Sequence, residues 1–220
     1  MSLARVTQLS VSLDGYATGE GQSLDAPFGH AGSRLMEWFG VTRLGHQVHG
    51  DTTTPARRGI DDALVSSGWD GSVGAEIMGR RKFGPQTGPW TDDGWRGWWG
   101  EDPPFHTPVF VLTHHPRPPL EMEGGTTFHF VDGAPEQVLA QAREAAGGLD
   151  VRIGGGPTTV REFLAAGLVD LMHLVLVPIV LGRGVSLWDG LEGVEAGFDI
   201  ETVHSPTSGV THLLFQRKGA

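Results

Sequence analysis

Three short stretches of this 220-residue chain combine residue types and spacing that suit chemistry. The first is Ile153-Gly154-Gly155-Gly156-Pro157-Thr158-Thr159. Three glycines leave backbone N–H groups uncovered, Pro157 suits the first position of a helix, and Thr158 or Thr159 is placed to cap it. A helix start carries roughly half a positive charge and several unpaired donors, which suits a phosphate. The same glycines would also let a helix pack closely on a sheet. Neither G-x-G-x-x-G nor a Walker Lys-Ser/Thr is present, so the spacing alone names no cofactor.

The second stretch, Gly79-Arg80-Arg81-Lys82, sets three cations together after an apolar run. It reads as a solvated basic turn or as a phosphate clamp, since arginine pairs a phosphate through two parallel hydrogen bonds. The third, Thr113-His114-His115, closes another apolar run. Adjacent histidines on a strand or turn point apart and have no third ligand nearby in sequence, so this is not a metal site. Among the acids, Asp14 ends the first strand, where α/β folds place chemistry, and also fits a plain Asp-Gly turn. Asp61 and Asp62 fall in the first turn of a helix, where acids favour the helix dipole.

Hydrophobic periodicity supplies the elements that carry these residues. Strands are expected at 5–13, 73–78, 108–113, 126–131, 151–153, 171–180, 198–204 and 210–217, with Thr7, Leu9, Val11 and Leu13 on one face of the first. Helices are expected at 58–67 with Ile60, Leu64 and Val65 inward, at 134–146 with Val138, Leu139, Ala142 and Ala145 inward, and after the glycines with Val160, Phe163 and Leu164 inward. Ser205–Gly209 links the last two strands as an antiparallel hairpin. Residues 19–56 read as loop apart from a helical piece at 34–39, and 84–106 is a Trp- and Pro-rich loop. Its tryptophans are costly to leave in water and pack on the body or on a partner, with stacking on a ring as an alternative. The order predicts an α/β fold with a mostly parallel central sheet, antiparallel C-terminal strands and helices on both faces.

Length predicts a single domain over 1–220 with a sizeable core. A formal charge of −10 does not suit nonspecific nucleic-acid binding or an anionic membrane surface. The absence of cysteine excludes disulfides, thiolate catalysis and Cys-ligated zinc. The N-terminal residues lack the pattern of a signal peptide, and no run of about 20 apolar residues spans a membrane, so a cytoplasmic location is expected.

Taken together, the pieces resemble the dihydrofolate reductase superfamily. Ile77-Met78-Gly79-Arg80-Arg81-Lys82-Phe83 resembles the strand-turn that carries an Arg to the 2′-phosphate of NADPH. Val111-Leu112-Thr113-His114-His115-Pro116 resembles the next strand end, on the adenosine side. Ile153 to Gly156, followed by Arg161-Glu162-Phe163-Leu164, resembles the glycine turn and helix that hold the pyrophosphate. Ser12-Leu13-Asp14-Gly15 and Val177-Pro178-Ile179-Val180-Leu181-Gly182-Arg183-Gly184 are more similar to one branch. That branch is the C-terminal reductase domain of the riboflavin-pathway deaminase–reductase and its stand-alone relatives.

The resemblance implies a dihydrofolate reductase-like fold, NADPH, and hydride transfer to a small heterocyclic or C=N-containing substrate, often in a homodimer. It implies cofactor contacts at Gly79, Arg80, Arg81, Leu112, Thr113, His114, Ile153, Gly154, Gly155, Gly156, Pro157, Thr158 and Thr159. Asp14 and Asp62 are the acids expected to orient substrate or relay a proton, with Asp61 the alternative to Asp62 near the place of the pteridine-holding carboxylate. One long loop is expected to close the site. Two other readings are a non-catalytic NADP(H)-binding sensor or scaffold, and a flavin-binding or drug-modifying reductase.

Overall fold

A computed structural model describes residues 2–49, 53, 55–91 and 94–219. The long loops therefore include positions, 50–52 and 54 in the first and 92–93 in the second, that lie outside the described residues. The strands are β1 (Ala4–Ser12), β2 (Tyr16–Thr18), β3 (Val73–Gly79), β4 (Pro108–Leu112), β5 (Leu120–Glu121), β6 (Thr127–Val131), β7 (Asp150–Ile153), β8 (Leu171–Val177), β9 (Val185–Ser186), β10 (Phe198–His204) and β11 (Thr211–Arg217). The α-helices are α1 (Glu37–Gly40), α2 (Arg43–His49), α3 (Ile60–Ser67), α4 (Arg80–Phe83), α5 (Pro135–Ala145) and α6 (Pro157–Ala165). None of the described helices is long and apolar enough to cross a membrane.

Nine strands form one mixed sheet in the order β10-β11-β8-β1-β7-β3-β4-β6-β5. Its centre, from β8 to β6, is parallel throughout. The β10–β11 hairpin joins antiparallel to β8, as the Ser205–Gly209 turn predicts, and the short strand β5 adds an antiparallel pairing at the other edge. Strands β2 and β9 form a separate two-stranded ribbon.

Side chains alternate across each strand, so the sheet has two distinct faces. One face buries Ala75, Ile77, Val151 and Ile153 under α5 (Val138, Leu139, Ala142) and α6 (Val160, Phe163, Leu164). The opposite face carries two separate apolar clusters. Trp38, Phe39 and Val65 cover Val175 and Val177 of β8, while Phe83, Phe105 and the Trp-rich loop cover Val109, Val111, Phe128 and Phe130. The tryptophans thus pack on the body of the chain: Trp90 meets Phe83 and Phe130 edge-on, and Trp99 meets Phe105. Between the two clusters the face carries charged residues, Glu76 on β3 and Arg152 on β7.

Several local expectations are corrected. In β1 the register shifts between Val6 and Leu9, and Gln8 takes a φ of 54°. This bulge resets the alternation, so Val6 and Val11 share the main core and Leu13 is 57% exposed. Helix α2, missed within the first loop, offers only Leu44 and Val48 as large apolar residues. Helix α3 buries Asp61, Asp62 and Val65, while Ile60 is exposed. The two acids therefore do more than favour the dipole.

Asp61 accepts a hydrogen bond from the Ser205 hydroxyl at 2.9 Å and lies 2.8 Å from Nε2 of fully buried His212. His212 Nδ1 is 2.8 Å from Nε2 of His173. With Asp61 ionised, His212 donates to it from Nε2 and accepts at Nδ1 from the His173 N–H, so two neutral imidazoles satisfy the chain of bonds. Burial, helped by neighbouring His212, pushes His173 down to about 4 from 6.5.

Asp61→Ala leaves the Ser205 and His212 donors buried without an acceptor and lowers stability by about 2–5 kcal/mol in urea unfolding. The unfolded chain takes a proton on His173 below about pH 6.5 that the folded chain refuses until about pH 4, so stability falls as pH drops through that window. The loss is on the order of 2–3 kcal/mol between pH 7 and 4.5, and urea curves of His173→Gln show it reduced by that amount.

Candidate functional site

The ends of β3, β4 and β7 meet where two turns touch. Gly154 donates its N–H to the Ile77 carbonyl at 2.8 Å, and Gly79 donates to the Gly155 carbonyl at 2.8 Å. The glycine turn after β7 and the cationic segment after β3 are thereby held side by side. The approach is close enough that a Cβ on Gly79 would collide with the Thr159 hydroxyl. The Gly155–Gly156 peptide bond is cis. The cap of α6 is Gly156, with no side-chain cap, and Pro157 takes the first helical position as expected. Thr158 and Thr159 lie inside the helix, which corrects the expectation that one of them caps it.

These segments open on one cavity of about 1290 Å³ on the charged face of the sheet. Of the residues expected at a cofactor, Gly79, Arg80, Arg81, Leu112, Thr113, His114, Gly154, Gly155, Gly156, Pro157, Thr158 and Thr159 all line it. Ile153 does not; it is the last residue of β7 and is fully buried in the core. The cationic segment is a short helix, α4, rather than a turn. Arg80 stacks 3.8 Å from the Trp90 ring centre and bonds the Gly88 carbonyl, while its buried Nε and Nη2 have no partner among the described residues. Burial disfavours the charged form of Arg80, a cost that a bound anion would relieve. Arg81 is exposed along the same wall. His114 lies 3.2 Å from Asp132, and among the described residues no group of three His, Asp or Glu could hold a metal ion.

Asp14 and Asp62, the acids expected to serve the reaction, stand outside this cavity. Asp14 accepts from the Ser12 hydroxyl at 2.6 Å and from the N–H groups of Leu181 and Gly182 at 3.1 and 2.6 Å. The Ser12 bond foremost, with those two, lowers its carboxyl to about 2. Its carboxylate staples the turn after β1 to the segment after β8. Asp62 accepts from Arg43 through both oxygens, from Nε at 2.7 Å and the backbone N–H at 2.9 Å, and so anchors α2 on α3. Asp61 belongs to the His212 network, likewise away from the cavity.

Besides Arg80 and Arg81, the charged residues that line the cavity include Glu76, Lys82 and Arg152, as well as Asp102, Asp132 and Glu162. Arg152 pairs with Glu76 through Nε and Nη2, and its guanidinium lies 3.6 Å from the Trp69 ring centre. Trp69 donates to Gln8 at 3.0 Å, and Gln8 donates to the Val65 carbonyl at 3.0 Å. Lys82 turns away from the cationic row and donates to the Gly154 carbonyl at 2.6 Å. A signal for this set was present in the sequence: opposite charges sit mid-strand in the apolar runs VGAEIM and DVRI, where burial demands a partner.

Proteins of known structure share this fold. A riboflavin-biosynthesis-named protein of Shewanella sp. PV-4 superposes with a TM-score of 0.57 at 22% identity, covering 99% of each chain. The deaminase/5-amino-6-(5-phosphoribosylamino)uracil reductase of Thermotoga maritima gives 0.54 at 13% identity, over 98% of this chain and 56% of that one. Dihydrofolate reductase from Enterococcus faecalis, solved with NADP(H), gives 0.50 at 13% identity, over 99% of this chain and 96% of that one. These likenesses establish the dihydrofolate reductase-like fold. No curated protein sequence is matched. The family model of the RibD C-terminal domain matches residues 6–212, and the chain belongs to that family.

Proposed function

We propose that this protein is an NADPH-dependent reductase that passes a hydride to a small heterocyclic or C=N-containing substrate. The observation that carries this reading is the convergence of a bare helix start, a cationic helix and a third strand end on one cavity. These are three points along one dinucleotide.

The residues present fit the cofactor. Gly156 faces the cavity with nothing within 4 Å of where a Cβ would stand, so its backbone is open to a ligand. The first N–H groups of α6 lack a side-chain cap and suit the pyrophosphate. Arg80 has two nitrogens without a partner among the described residues and Arg81 is exposed on the same wall, which suits the additional phosphate that separates NADPH from NADH. Leu112, Thr113 and His114 border the adenosine side. When bound, the reduced nicotinamide supplies the hydride; the chain's own residues bind and orient it and limit the access of water. Trp98, Trp99 and Phe105 form an apolar wall on one side of the cavity, and Leu35, Met36 and Phe39 form the other.

Titration calorimetry of Arg80→Ala/Arg81→Ala tests the reading. The double variant is expected to lose about 10- to 100-fold in NADPH affinity and to leave NADH affinity within about threefold. Unchanged NADPH affinity would contradict the phosphate clamp.

A further inference from the structure

The chain contains two lysines, and one of them, Lys82, lies in the wall of the cavity. Lys218, the other, bonds the Ala196 carbonyl near the C-terminus. An ammonium in this position is costly unless it is paired or used. Lys82 makes one hydrogen bond, to Gly154, which leaves two of its three hydrogens without a partner among the described residues. Glu76 gives one oxygen to Arg152, while its buried Oε2 has no partner among the described residues. A Cβ on Gly154 would stand 2.8 Å from the Lys82 nitrogen and 2.9 Å from that oxygen. An unsatisfied donor and an unsatisfied acceptor thus converge beside the glycine turn, on the charged floor of the cavity between its two apolar walls.

We propose that Lys82 is the proton donor of the reductive step, and that Glu76 and Arg152 are its positioning residues. The inference rests on the reductase reading above. In the step, the substrate carbon of C=N takes the hydride and the π electrons move to nitrogen. Nitrogen takes a proton from the Lys82 ammonium, leaving NADP⁺, the reduced substrate and a neutral amine that is reprotonated by water. Desolvation lowers the pKa of Lys82, Glu76 on β3 raises it, and Arg152 on β7 lowers it, with a net downward shift. Arg80 and Arg81 precede it on the same helix. A lysine shifted down surrenders its proton more readily, and it holds that proton only below its lowered pKa. Turnover is therefore present at lower pH and lost as pH rises through that value.

The small number of lysines makes a direct test practical. Reductive methylation with ¹³C-formaldehyde labels Lys82, Lys218 and the N-terminal amine, and Lys218→Met assigns the second signal. The Lys82 signal is expected to titrate below the ordinary lysine value of about 10.4 and to move when NADPH is added. An NADPH complex in which Lys82 titrates at its ordinary value contradicts the proton-donor assignment alone. A native chain that binds no NADPH by calorimetry contradicts the reductase reading itself. With dihydrofolate as the C=N probe, Lys82→Met and Lys82→Arg are expected to lose about 100-fold in kcat while NADPH affinity stays within about threefold. Arginine keeps the charge but does not give up its proton, so full turnover by Lys82→Arg overturns the proposal.

Discussion

Two backbone hydrogen bonds, Gly154 to Ile77 and Gly79 to Gly155, set the geometry on which the rest of the site depends. They extend the β3–β7 pairing past the last regular residues and hold two turns of different chemistry in contact. One turn leads to a helix start, the other to three cations. Neither segment specifies a dinucleotide by itself. The close packing of Gly79 on Thr159 requires that no side chain intervene, which is why glycine stands there even though its own φ is an ordinary −77°. Parallel pairing across the central strands then brings the third strand end, at Leu112 and Thr113, onto the same side.

The sheet buries two polar networks, and their positions give them different meanings. Asp61, His212, His173 and Ser205 tie α3 to the C-terminal hairpin and to β8, away from the cavity. Every member has a partner, and the network's effect is on stability and its pH dependence. Glu76, Arg152 and Lys82 form the other set, inside the cavity wall, with atoms left over. Replacing a buried ion pair with apolar side chains often costs nothing, so such a pair is weak evidence of stabilisation. Its incomplete satisfaction beside a ligand-sized space is better explained by something that binds there.

Much of the fold is legible in the sequence because most elements have one buried face. The apolar period of 3.6 marks α5 and α6, the runs near Val109 and Val175 mark central strands, and the SPTSG turn marks the closing hairpin. Glycines at 154–156 and cations at 80–82 were visible for the same reason: residue type alone limits what such a backbone or charge can do. The errors arise where tertiary partners override local preference. Asp61 and Asp62 look like first-turn acids, yet His212 and Arg43 draw them inward from 151 and 19 residues away. The bulge at Gln8 reverses the alternation of β1 through a side chain that reaches α3 and Trp69. Lys82 looks like the third member of a phosphate clamp until the helix turns it toward Gly154. Asp14 looks like a catalytic acid at a strand end, but two N–H groups from the segment after β8 occupy it.

The ligand proposed for this cavity is a dinucleotide bearing a third phosphate. Thermal unfolding with NADPH, with NADH and with no ligand tests it most directly. A ligand at about 100 times its dissociation constant adds roughly 2.7 kcal/mol of stability, about 5–10 °C in a chain of this size. A shift of that order is expected with NADPH and a much smaller one with NADH at the same concentration. No shift with either would contradict it, and would leave the glycine turn as a device for packing a helix closely on a sheet.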